Sequence, residues 1–191
     1  MNATTSTTSR DSHVNGLDVT AIRAAINGVA QDRSLGGTSW KVSSRWQGGA
    51  VAEHQVDGYE IGGTSVARSF AWKTDEPLEL GGTNLHANPQ ELLLSGLNAC
   101  MLVGYAMTAA LMGIRIDSLE IETSGEIDLR GMFELADKVS NGYDSLRQTV
   151  RISADATPEQ LAELHAAVLR TSPNFFNITH AIAVQSELVV E

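Results

Sequence analysis

Cysteine is almost missing from this chain: Cys100 is the only one in 191 residues. A single thiol excludes an intramolecular disulfide framework and a cysteine-rich zinc site, leaving a sulfur that is inert, reactive or paired with another molecule. Basic residues are also scarce, with 13 Lys and Arg against 23 Asp and Glu and a net charge of −10. Such a field repels phosphate backbones and anionic bilayers, so neither nucleic acid nor membrane is expected as a partner. The N-terminal stretch has no apolar run resembling an export signal, which makes the cytoplasm the expected compartment. None of the glycine-rich stretches continues into a phosphate-binding fingerprint, and no cofactor is implied. The five histidines show no pair at helical one-turn spacing, and the acidic residues show no calcium-loop spacing, so no metal is expected.

Charge is also missing from Leu92 to Ile114, a run long enough to cross a hydrocarbon core of roughly 30 Å. Ser95, Gly96, Asn98, Gly104, Thr108 and Gly113 interrupt it, and no Lys/Arg cluster marks its flanks. The expectation is therefore a helix buried all round by protein.

The length fits one domain, at about 150 residues per domain. Residues 1–16, polar and rich in Ser, Thr and Asn, read as a disordered tail. Residues 17–191 read as a single domain, with 17–36 a helical extension in which Leu17, Ile22, Ala25, Ile26 and Val29 lie near helical spacing. This helix is expected to dock on the main body. Strands follow: Trp40, Val42 and Trp46 alternate, Asp57-Gly58 has the composition of a tight hairpin turn, and Val66 to Lys73 is a third strand. Three Gly-Gly-Thr tripeptides at 36, 62 and 81 are turn punctuation. Asn88-Pro89-Gln90-Glu91 opens the long helix, since Asn88 can accept from orphan backbone donors, Pro89 suits the first helical position and Glu91 can reach back. Beyond Gly113, alternation at Leu119, Ile121 and Thr123, then at Ile127 and Leu129, and again at Val150 and Ile152, predicts half-buried strands. Thr157-Pro158-Glu159-Gln160 opens a second helix that Ser172-Pro173 stops, and Ala181 to Val190 reads as a last strand. This order predicts an α+β domain with sheet segregated from helices.

Asn88-Pro89-Gln90-Glu91-Leu92-Leu93 followed by Asn98-Ala99-Cys100-Met101 resembles the signature helix of the OsmC/Ohr family, osmotically inducible and organic-hydroperoxide-resistance proteins. The resemblance covers roughly Trp40 to Glu191 and includes the order of elements. It implies an intertwined homodimer with central helices packed together and a thiol site at the subunit interface, where a peroxidatic and a resolving cysteine, an arginine and a glutamate reduce organic hydroperoxides. By position, Cys100 is peroxidatic, and Ser172 replaces the resolving cysteine, so turnover would need an external thiol. The glutamate position is Gln90. Glu91 is one residue late and, nine residues from Cys100, projects about 180° away on a helix of 3.6 residues per turn. Arg45, beside Trp46-Gln47-Gly48-Gly49, is the nearest candidate for the arginine.

Two functions follow. In one, Cys100, Arg45, Gln90 and Glu91 make a thiol peroxidase site for a small organic hydroperoxide. A thiolate needs a nearby cation or strong donors, and Cys100 lies beyond reach of its own helix's N-terminal dipole. In the other, Cys100 is a small buried hydrophobe, and a non-catalytic dimer holds a small lipophilic ligand in an interface pocket shaped by Leu97, Met107, Ser172, Phe175 and Phe176.

Overall fold

The computed structural model describes residues 12–190; most of the expected tail, residues 1–11, lies outside the described residues. Where one domain is expected, the chain divides into two compact units, Met1–Leu93 and Leu94–Glu191.

The first unit opens with a small hairpin, β1 (His13–Val14) and β2 (Leu17–Asp18), whose first strand and turn lie within the stretch expected to be tail. Asn15 and Gly16 take φ of 55° and 77°, as a type I′ turn requires, and this dipeptide outweighs the polar composition around it. Asp18 then caps α1 (Val19–Gln31), accepting from the backbone N–H of Thr20 and Ala21. Contrary to the expected docking, α1 buries none of its side chains.

Four antiparallel strands follow: β3 (Thr38–Trp40), β4 (Ser43–Gly48), β5 (Val51–Ile61) and β6 (Thr64–Thr74). β5 is central, with β6 along one edge and β3 and β4 along the other. The turn expected at Asp57-Gly58 is not there. β5 runs through it with a bulge between Val56 and Gly58, and the chain reverses at Gly62-Gly63, whose φ values of 56° and 74° supply the turn. Gly58 serves a different need: a Cβ there would lie 2.7 Å from the Val66 carbonyl oxygen.

Asp75 organises the loop that follows. It is buried with no counter-ion among the described residues, and its carboxylate accepts from the Thr83 hydroxyl at 2.5 Å and from the backbone N–H of Glu76, Thr83 and Leu85. These bonds, the Thr83 hydroxyl foremost, hold its pKa well below the usual carboxylate range despite burial. Gly82 is the steric complement, since a Cβ there would fall 1.8 Å from the Glu76 carbonyl oxygen.

The long helix α2 (Pro89–Met112) starts where its capping signals predict. Asn88 Oδ1 accepts from Gln90 N at 2.7 Å, and Glu91 Oε2 accepts from Asn88 N at 2.8 Å. It ends at Gly113, φ 73°, where Ile114 N donates to Ala109 O and Gly113 N to Ala110 O, closing a Schellman motif.

In the second unit β7 (Ile116–Gly125) pairs with β8 (Leu146–Ala154). The alternation at Ile127 and Leu129 does not continue the strand, because Asp128 caps a one-turn helix, α3 (Leu129–Met132). α4 (Pro158–Thr171) carries the reciprocal Thr157/Gln160 capping box, and α5 (Pro173–Thr179) follows at once. The core joins Leu97, Met101, Tyr105 and Ala109 of α2 to Leu164 and Val168 of α4, with Ile121, Val150 and Ile152 packed against them. The helix expected to be buried all round is buried on one side, while Val103 and Met107 are 60% and 39% exposed. α2 is long and apolar enough to cross a membrane. The last expected strand is also corrected. Ala181 to Val190 forms no ladder, and Val184 and Leu188 are 83% and 87% exposed; alternation alone does not make a strand when no paired edge receives it.

Candidate functional site

Cys100 is half-buried on α2, and the buried Ser172 hydroxyl donates to its sulfur at 3.4 Å. Local sequence explains how Ser172 arrives there. Its N–H closes the last turn of α4 on Val168 O, while Pro173 begins α5, so Ser172 ends one helix and caps the next by accepting from Phe175 N. Two glycines of α2 admit the neighbouring helices. A Cβ on Gly104 would meet Val168 Cγ1 at 3.3 Å, and the Gly96 carbonyl accepts from Asn174 Nδ2 at 2.8 Å. Cys100 and Ser172, 72 residues apart, are thus joined through α2, α4 and α5.

Of the other residues expected in a pocket, Leu97 is part of the core, Phe175 packs against that core, Met107 is partly exposed, and Phe176 is exposed and stacked on His180 at 4.1 Å. Arg45, Gln90 and Glu91 belong to the first unit. Arg45 is exposed on β4, in register with Glu53. Gln90 and Glu91 lie in the first turn of α2, where the Glu91 carboxylate is engaged as a cap. The ion pairs among the described residues are Arg115 with Asp155, Arg130 with Asp128, and Arg151 with Glu120 and Glu122, and none touches Cys100. Among the described residues no cluster of metal-ligating side chains occurs.

Two polar arrangements were not anticipated from sequence. Asn98 Oδ1 accepts from Thr123 Oγ1 at 2.5 Å and from Gln148 Nε2 at 3.4 Å, and Gln148 Nε2 also donates to Thr123 Oγ1 at 3.0 Å. This network fastens α2 to both strands. Tyr105, buried in the core, is hydrogen-bonded to His165 Nδ1 on α4. The available signal was Asn98 and Tyr105 within the apolar run of α2.

A model of the OsmC-like protein family matches residues 82–187, more than half of the chain. The chain belongs to the OsmC-like family. An OsmC-like protein from Mycoplasma pneumoniae has the same OsmC-like fold, with a TM-score of 0.56 and 16% identity over 74% of this chain and 87% of that one. A protein from Psychrobacter arcticus 273-4, named for osmotic stress induction and a detoxification response, superposes with a TM-score of 0.51 and 16% identity over 70% and 84% of the two chains. No curated protein matches. The family match spans the OsmC-like helix with Cys100 and the turn with Ser172.

Proposed function

We propose that this OsmC-like chain reduces organic hydroperoxides through Cys100, as a homodimer with one cysteine per subunit and an external thiol as reductant. The observation that carries the reading is the Ser172 hydroxyl on the Cys100 sulfur at 3.4 Å, with serine at the position where the family resemblance implies a resolving cysteine. The thiolate attacks one peroxide oxygen, the O–O bond breaks, and the alkoxide leaves and takes up a proton to become an alcohol. Cys100 is left as a sulfenic acid, whose proton the Ser172 oxygen is placed to accept. An external thiol condenses with it and releases water, and a second thiol attacks the mixed disulfide, restoring Cys100 and leaving the reductant as its own disulfide. The peroxide gains the two electrons that the two thiols lose. Apolar Val103 and Met107, exposed on α2, support the homodimer, since exposed apolar side chains of this kind favour burial against a second chain.

The test mixes reduced protein with cumene hydroperoxide and counts sulfenic acid by trapping. About one equivalent per chain is expected, and consumption no greater than that of Cys100→Ser would sink the proposal. A second reading, a non-catalytic dimer holding a small lipophilic molecule, is favoured by the same serine, which cannot form a disulfide. A copurified apolar molecule that survives Cys100→Ser in native mass spectrometry would favour it.

A further inference from the structure

The chain contains three Asn-Gly dipeptides, at 15, 27 and 141. In such a pair the glycine nitrogen, with no Cβ beside it, can close on the asparagine side-chain carbonyl, provided the backbone is free to bring the two together. The fold withholds that freedom from two of them. Asn15-Gly16 is the turn of the β1–β2 hairpin, held in left-handed backbone by the pairing of His13 with Asp18 and of Val14 with Leu17. Asn27-Gly28 lies inside α1, where helical hydrogen bonds hold the peptide groups. Asn141, by contrast, is exposed in the connection from α3 to β8, outside any helix or strand, and a Cβ on Gly142 would meet nothing within 4 Å.

The chain is seated on both sides of this open dipeptide. A Cβ on Gly131 of α3 would fall 2.2 Å from the Ser140 carbonyl oxygen, and one on Gly125 at the end of β7 would fall 2.6 Å from Tyr143 Cδ1. Ser140 and Tyr143 thus each rest on bare glycine backbone, and Asn141-Gly142 is the link between the two seats. Ser140 and Gly142 also border a hollow lined by Glu126, Asp128, Asp144 and Lys138.

We infer that Asn141-Gly142 is a site of spontaneous covalent modification, in which the asparagine becomes isoaspartate and the connection between β7 and β8 loosens. Gly142 N gives its proton to water and bonds to Asn141 Cγ; the Cγ–Nδ2 bond breaks and ammonia leaves, closing a five-membered imide. Water then opens the ring, and no oxidation or reduction occurs in either step. Attack at Cγ restores the ordinary chain with an aspartate, whereas attack at the Asn141 main-chain carbonyl routes the chain through Cβ and Cγ. The second product lengthens the link by a methylene, so it no longer matches the span between Ser140 and Tyr143. Both products set a new carboxylate beside Glu126, Asp128 and Asp144, where like charges repel. This site is independent of the thiol reaction proposed above.

The test holds the purified full chain at mildly alkaline pH beside a synthetic peptide of residues 139–147, which acts as a clock for the unconstrained reaction. Trypsin then separates the three dipeptides into segments 11–23, 24–33 and 139–147. Segment 139–147 should gain about 1 Da at a rate near that of the free peptide and accept a methyl group from an isoaspartate carboxyl methyltransferase, while the other two stay unchanged. Asn141→Gln, whose longer side chain cannot close the five-membered ring, should lose the gain. Asn141→Asp supplies the charge without the methylene. The amides of Phe133, Glu134 and Leu135, which are bonded back to α3, should therefore exchange faster in aged protein than in fresh parent or fresh Asn141→Asp. The site is refuted if 139–147 lags behind the free peptide as far as the other segments do, or if either of them converts equally fast. Equal exchange in aged protein and fresh Asn141→Asp would overturn the loosening.

Discussion

Ser172→Cys restores a second sulfur beside Cys100, and the structure sets what should follow. The present oxygen-to-sulfur distance is 3.4 Å, against about 2.05 Å for a disulfide bond, so closing the bond requires roughly 1.3 Å of movement. A sulfur reaches farther from its Cβ than an oxygen does, and any shift of the first turn of α5 works against the Asn174 bond to the Gly96 carbonyl. In the reduced state the variant loses the hydroxyl that caps α5 by accepting from Phe175 N, a loss of about 1 kcal/mol. Once oxidised, the bridge closes a loop of about 70 residues, for which chain entropy gives a stabilisation of about 4 kcal/mol. The net expectation is an oxidised variant about 3 kcal/mol more stable than the parent, read from urea midpoints with and without reductant. One equivalent of cumene hydroperoxide should consume both thiols of each chain and leave a monomeric chain on non-reducing gels. If both thiols stay titratable, or the bond forms between chains, the geometry assigned to Cys100 and Ser172 is refuted.

Asp75 has its pKa lowered in the fold, so it binds protons more weakly there than in the unfolded chain, and its stabilisation is present above its ordinary value of 3.8 and lost as pH falls toward the folded value. The thermal midpoint should therefore drop below about pH 4, and Asp75→Asn should flatten that dependence; an unchanged acid profile would show that the carboxylate is not held as described. Gly82→Ala places a methyl 1.8 Å from the Glu76 carbonyl oxygen and should open the loop to limited proteolysis between Glu76 and Asn88, whereas Gly142→Ala, with nothing within 4 Å, should not create a new cleavage site there. Asn98→Ala removes the acceptor shared by Thr123 and Gln148 and should cost about 1–3 kcal/mol in urea unfolding; a cost below 0.5 kcal/mol would mean that water replaces the amide freely.

What could be read in advance was local. Asn88, Pro89 and Glu91, and Thr157 and Gln160, act within one helical turn, so their spacing carries the geometry, and both helices start where these residues place them. Asn15-Gly16 carried an equally local signal that the surrounding serines and threonines masked. Asp57-Gly58 misled because a turn dipeptide also suits a bulge, and only pairing with β6 distinguishes the two. The alternation over 181–190 misled for a related reason: period two reports a strand's faces, while a strand also needs an edge to join. At the candidate site, family position brought Cys100 and Ser172 together, but the pairing of Tyr105 with His165 and of Asn98 with Thr123 and Gln148 depends on how two helices are rotated and where two strands register. Neither is encoded in any short window of sequence.

Ser172 does three jobs with one side chain and its neighbouring peptide groups: it terminates α4, starts α5 and touches the only thiol in the chain. An oxygen or a bulky adduct added to that sulfur must take space or a proton from the hydroxyl that also receives Phe175 N. The chemical state of one atom is therefore wired to the fraying of a short helix, and a fluorescent or isotopic reporter at Phe176 would read the redox history of each chain without touching the thiol.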